Sequence, residues 1–242
     1  MGDVTEHVAF FLDADTQMST RFTKAGGPAT KLDIAVRGLS LLRHIKGQWR
    51  HHLFSVNSWS DAGTLLQPLG AAPRTPAPPS VRIASAPCGP LDVARLLMYT
   101  YGLMGSTPPS AKWRIVIAHG RTRCPPLLTP DTEEVLRGCG IPVDSVYLHT
   151  HAEAAEGPAA ASVFAAYQRM ADMTGGYALR ACSDEVVAMR GFTVLAANSR
   201  TRPPQEHYRS SALDAAGDSV DGSTAPMPSL RHLIAPHAFP FR

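Results

Sequence analysis

Apolar and polar positions alternate along the chain in blocks that predict strands and helices in turn. VAFFL (8–12) is a continuous apolar run, the pattern of a strand buried on both faces, and the polar turn DADTQMS (13–19) follows it. After a Gly- and Pro-containing loop at 20–30, Leu32, Ala35, Leu39, Leu42 and Ile45 recur at helical spacing, with Thr30 placed to cap the helix start and Gly47 near its end. Gly38 weakens that helix slightly. HHLFSVN (51–57) and TLLQPL (64–69) predict a hairpin. Pro68 puts the second arm at a sheet edge, since proline cannot donate to a ladder.

The proline-rich GAAPRTPAPPS (70–80) predicts a surface insertion, and VRIAS (81–85) is ambiguous. PLDVARLLMYTYGLM (90–104) predicts a helix whose stripe of Leu91, Ala94, Leu97, Met98 and Tyr101 faces the core. WRIVIAH (113–119), PVDSVYLHTH (142–151) and YALRAC (177–182) predict strands. PDTEEVLRG (130–138), AAASVFAAYQRMADM (159–173) and DEVVAMRGFTVLAAN (184–198) predict helices, with Thr129 and Ser183 as caps for the first and last. Apart from the early hairpin, strands and helices alternate. The predicted fold is therefore α/β: a doubly wound, mostly parallel sheet with one antiparallel edge strand. Right-handed crossovers bring the loops after Leu12, Ala118 and Leu148 to one edge.

Beyond residue 200 the chain turns rich in Pro, Ser, Gly and Asp and cannot bury much apolar surface. Two parts are expected: a domain over 1–200 and an extended or disordered, partner-binding tail over 201–242. The tail closes with Leu230, Leu233, Ile234, Phe239 and Phe241, a cluster that docks either on a partner or on its own domain.

Composition narrows the function classes. At 242 residues and 44% hydrophobic the chain can bury a sizeable core. A net charge of +3 with no basic run gives no support to nucleic-acid or membrane-surface binding. The four cysteines (Cys88, Cys124, Cys139, Cys182) show no CxxC pair and no zinc-like spacing, and no leader or glycosylation acceptor stands out, so a cytoplasmic and nuclear location is expected. Nucleophile elbows, P-loops and G-x-G-x-x-G turns are absent. Cys124 lies beside Arg121 and Arg123 without an identifiable base, and His149-x-His151 lacks a third ligand in its loop. No enzyme and no cofactor are expected.

A strand that ends in D-x-D-x-Q invites comparison with the von Willebrand factor A fold. That fold's metal site uses D-x-S-x-S after the first strand, a threonine on a second loop, and an aspartate after the central strand. Here Asp13 matches, Asp15 and Gln17 replace the two serines, and His119 stands where the aspartate belongs. A neutral imidazole is a poor ligand for Mg²⁺ or Ca²⁺. The site is therefore degenerate, and Asp13 and Asp15 are expected to stabilise the turn through backbone hydrogen bonds.

Taken in order, FFLDADTQMS, HHLFSVNSWSDAGTLLQPL, RIVIAHGRTRCPP, VDSVYLHTHAEAAEG and VLAANSRTRPPQEHYRSSALD resemble one degenerate branch of this fold. It is the von Willebrand factor A-like scaffold subunit of the BRISC deubiquitinase complex, shared with the nuclear breast-cancer-protein A complex. The resemblance covers roughly residues 7–214, and the final APMPSLRHLIAPHAFPFR has no counterpart. It implies a non-catalytic scaffold that supports assembly of a deubiquitinase complex acting on non-degradative polyubiquitin, in DNA-damage response or cytoplasmic signalling. The implied partners are a ubiquitin-conjugating-enzyme-like subunit and other subunits of the complex. By the same comparison Pro203, Pro204, His207, Tyr208 and Leu213 would lie along the partner in an extended-peptide mode. Two alternatives stand beside it: a divalent-cation-dependent ligand-binding domain using Asp13 and Asp15, and a transcription- or repair-factor subunit of the same fold.

Overall fold

A computed structural model describes residues 6–22, 27–48, 52–60, 63–71, 79–105, 111–155 and 158–197. The tail residues singled out above, from Pro203 to Phe241, lie outside the described residues, as does most of the proline-rich segment.

Six strands form one sheet: β1 (Glu6–Asp13), β2 (Leu53–Trp59), β3 (Gly63–Ala71), β4 (Lys112–His119), β5 (Val143–His149) and β6 (Ala178–Cys182), in the order β3-β2-β1-β4-β5-β6. All neighbours are parallel except β2 and β3, so the expected antiparallel edge strand is present. β1 lies in the middle. Its alternation sends Val8, Phe10 and Leu12 into one core and Ala9 and Phe11 into the other.

Helices α1 (Lys31–Lys46) and α6 (Glu185–Ala196) cover the first face, and α2 (Val93–Met104), α3 (Pro130–Gly138) and α5 (Pro158–Thr174) the second. Thr30 caps α1 in a reciprocal box: its hydroxyl accepts from Asp33 N, and Asp33 Oδ2 accepts from Thr30 N. Gly38 is the contact point of α1 and α6, since a Cβ there would meet the Phe192 ring at about 2 Å. The glycine that costs α1 propensity thus permits its closest packing.

Three expectations change, and the ambiguous VRIAS (81–85) resolves. The buried face of α2 is Val93, Leu96, Leu97 and Thr100, while Met98 is 74% and Tyr101 43% exposed. Leu91 and Leu97 are buried as expected, but Ala94 faces out, because the docking of α2 is rotated from the stripe that spacing alone suggested. The cap of α6 is Asp184, whose carboxylate accepts from Val186 N and Val187 N; Ser183 sits one residue outside at φ 50°. His151 is not part of β5 but heads a short helix, α4 (His151–Ala155). VRIAS forms no strand, although Ala84 N bonds Ala14 O at 2.8 Å.

Candidate functional site

The carboxyl edge of the sheet gathers the turn after β1, the segment before α2, the loop after β4 and the start of α4. Asp13 is the last residue of β1 and is 3% exposed. Arg121 grips it with a fork: Nε donates to Oδ1 and Oδ2 at 3.1 and 3.0 Å, and Nη2 donates to Oδ1 at 2.8 Å. Arg121 is itself 2% exposed, and its Nη1 donates to Gly89 O ahead of α2. Burial pushes the Asp13 carboxyl up, and the guanidinium beside it pulls it back. Burial opposes the Arg121 charge, but the Asp13 carboxylate outweighs it and holds the guanidinium more firmly protonated. An arginine stays charged in protein surroundings, so the two form a buried bidentate ion pair.

The other members of the turn are also engaged. Asp15 Oδ1 accepts from Gln17 N at 2.8 Å and Oδ2 from Cys88 N at 2.6 Å, the turn-stabilising role expected of it. Asp13 Oδ1 likewise accepts from Asp15 N at 3.1 Å. Gln17 exchanges two bonds with Thr122: Nε2 donates to Oγ1 at 2.9 Å, and Oε1 accepts from Thr122 N at 2.8 Å. Asp13, Asp15 and Gln17 of the D-x-D-x-Q turn therefore each reach across to a neighbouring segment.

A second ion pair lies beside the first. Lys31, fully buried at the start of α1, donates to Glu153 Oε1 of α4 at 2.6 Å and to Gly120 O at 3.0 Å. Burial lowers its basicity, and the Glu153 carboxylate offsets only part of that. Gly120 has no room for a side chain, because a Cβ would meet Lys31 Cδ at 2.7 Å and Met18 Sδ at 3.0 Å.

His119 fills the position where an acid would be needed. It is fully buried and stacked between Tyr167, at 3.7 Å between ring centroids, and Tyr147, at 5.0 Å. Neither ring nitrogen has a hydrogen-bond partner among the described residues. Burial first, then the charges of Arg121 and Lys31, hold its pKa well below the usual histidine value, so the ring is neutral. Under it, Asp13, Arg121, Tyr167, Trp59 and Leu96 border a pocket with room for about one water molecule.

A hard divalent cation needs several converging oxygens. The residues present do not fit one: both Asp13 oxygens are held by a guanidinium, Asp15 is held by backbone N–H groups, and the third position carries an imidazole. Among the described residues no three His, Cys, Asp or Glu side chains converge on a metal position. At the neighbouring strand end, Cys182 Sγ lies 3.4 Å from His151 Nδ1, while the His149 ring stacks on Tyr147, so the H-x-H residues are split between two environments. Cys124 is half-buried, and Arg121 is turned from it toward Asp13.

Asp13, Asp15, Gln17 and His119 are thus brought to one place, but the sequence reading missed Arg121, Lys31, Glu153 and Thr122. Lys31 did carry a signal. It stands three residues before Ile34, on the same stripe as Ala35, Gly38, Leu39 and Leu42, where a lysine must be buried and partnered.

No family model matches the chain, and no curated protein matches it in sequence. Among solved structures, the PilB minor pilin from Streptococcus sanguinis is similar over 81% of this chain, with TM-score 0.56 and 12% identity; the match spans 61% of the pilin's length. The SpRpn10 VWA domain is similar over 76% of this chain and 95% of its own, with TM-score 0.52 and 13% identity. The fold is that of von Willebrand factor A domains, with a mostly parallel six-stranded sheet. No described helix is long and apolar enough to cross a membrane.

Proposed function

We propose that the chain is a non-catalytic scaffold or adaptor, a von Willebrand factor A-like domain that contributes surfaces and its C-terminal segment to a multi-subunit assembly. The observation that supports this reading is the Asp13–Arg121 pair, which occupies the carboxylate that cation-dependent members of the fold would use. At the position of the degenerate site His119 is neutral and enclosed and Asp13 is held by Arg121, so neither side chain is open to a ligand from solvent. The finer assignment rests on the ordered sequence segments: a subunit of a deubiquitinase complex acting on non-degradative polyubiquitin, placed in cytoplasm and nucleus. Its partner is a ubiquitin-conjugating-enzyme-like subunit, bound through residues 201–242. Affinity purification of the full chain from cells, followed by mass spectrometry, tests it. A ubiquitin-conjugating-enzyme-like protein should copurify with the full chain and be lost when 201–242 is deleted. If no such protein copurifies, or if the deletion changes nothing, the reading fails.

A further inference from the structure

The disagreement between this site and a cation-binding one has a specific form. Where a divalent ion would tie the turn after β1 to neighbouring loops, two side chains of the same molecule do so. Arg121 joins Asp13 to Gly89 O, linking the end of β1, the loop after β4 and the segment before α2. Lys31 joins Gly120 O to Glu153, linking the same loop to α1 and α4. Together the guanidinium and ammonium carry two positive charges, as a divalent ion would, and they face Asp13 and Glu153 one to one. The remaining carboxylate, Asp15, is satisfied by backbone N–H groups and asks for no further cation. Both basic groups are almost wholly excluded from solvent, Arg121 at 2% and Lys31 at 0% exposure.

We propose that the chain supplies its own cation to this site. Arg121, seconded by Lys31, takes over the charge-neutralising and loop-tying role of a divalent ion, so the edge is assembled without metal and receives no acidic ligand through one. The arginine fork suits that role because it grips both oxygens of one carboxylate and still has a donor for a carbonyl. The His119 ring, stacked on two tyrosines, occupies the position of the missing acidic ligand, so a cation that displaced Arg121 would find a neutral imidazole where a charged oxygen ligand belongs. This inference stands apart from the identity of any partner, since the copurification above tests the tail and the test below reads the site.

Thermal unfolding and calorimetry of the full chain, with and without millimolar MnCl₂, decide it. The wild-type midpoint should be indifferent to Mn²⁺. Arg121→Met should lower the midpoint by roughly 10 °C, because it leaves Asp13 buried and unpaired. Mn²⁺ should restore part of that loss, and the restoration should vanish in the double variant Asp13→Asn/Arg121→Met. If Arg121→Met does not fold alone, refolding it in Mn²⁺ and refolding the double variant give the same reading. Recovery by Asp13→Asn but not by Mn²⁺ would mark an ordinary ion pair and overturn the proposal. Asp13-dependent Mn²⁺ binding by the wild type would overturn it in favour of a cation-dependent site.

Discussion

At the carboxyl edge of the sheet, Asp13 and Glu153 face Arg121 and Lys31; at the amino edge, Glu6 and Asp144 face Lys46 and Arg114. Helix α1 serves both, with a buried lysine at each end of its apolar stripe. The edges differ in what the charges hold. At the carboxyl edge the basic groups tie loops to one another. At the amino edge the partners are strand residues, and Arg114 reaches from β4 to the last turn of α6, donating to Leu195 O at 2.6 Å and Ala197 O at 3.0 Å, while Asp144 Oδ1 accepts from Tyr177 N at 2.7 Å. Arg114 thereby ties the end of α6 to β4. Buried ion pairs add little net stability over an apolar replacement, but losing one partner is costly. Such pairs therefore serve better to specify geometry than to add stability: loop positions at one edge, the end of α6 at the other.

The largest expected effect breaks the amino edge. Arg114→Met removes the guanidinium that faces Asp144 and frees two carbonyls at the end of α6, and urea unfolding should show a loss of about 3–5 kcal/mol. A loss below about 1 kcal/mol would show that the amino edge is not held by this residue. Lys31→Met should cost less, about 2 kcal/mol, because Glu153 keeps some contact with water and accepts from Thr150 N and Lys31 is one of two tethers on its loop. Equal losses for the two variants would remove the distinction between strand-based and loop-based pairs.

His119→Phe sharpens the carboxyl edge through pH. The native ring resists protonation, so below about pH 6.5 the unfolded chain binds a proton that the native chain refuses, and stability falls as pH falls. His7 and His149 act in the same sense, since burial lowers both. The phenylalanine variant should change stability at pH 7 by less than about 1.5 kcal/mol and flatten the decline between pH 6.5 and 5. An unchanged pH profile would mean that His119 is not the buried neutral group described. The smallest effect is expected on the outer face of α2, where Met98→Ser should stay within about 0.5 kcal/mol of wild type. A larger loss would return Met98 to the core.

Much of the domain was legible in the chain because its signals are local. The apolar run of β1, the Thr30 and Thr129 caps, Pro68 at the edge and the helical spacing of α1 each follow from steric and hydrogen-bonding preferences of neighbouring residues. The same turn, D-x-D-x-Q, also raised the expectation of a degenerate cation site, since ligand chemistry depends on residue type. Tertiary structure decided what stood in the cation's place. Arg121 and Asp13 are 108 residues apart, and Lys31 and Glu153 122 apart, and no spacing rule couples such positions. The rotation of α2 about its axis and the fit of Gly38 against Phe192 were likewise set by the surface each helix packs on. Residue types fixed which groups needed partners, because a buried charge must be neutralised; only the sheet's topology, by bringing distant strand ends to one edge, determined which groups could meet.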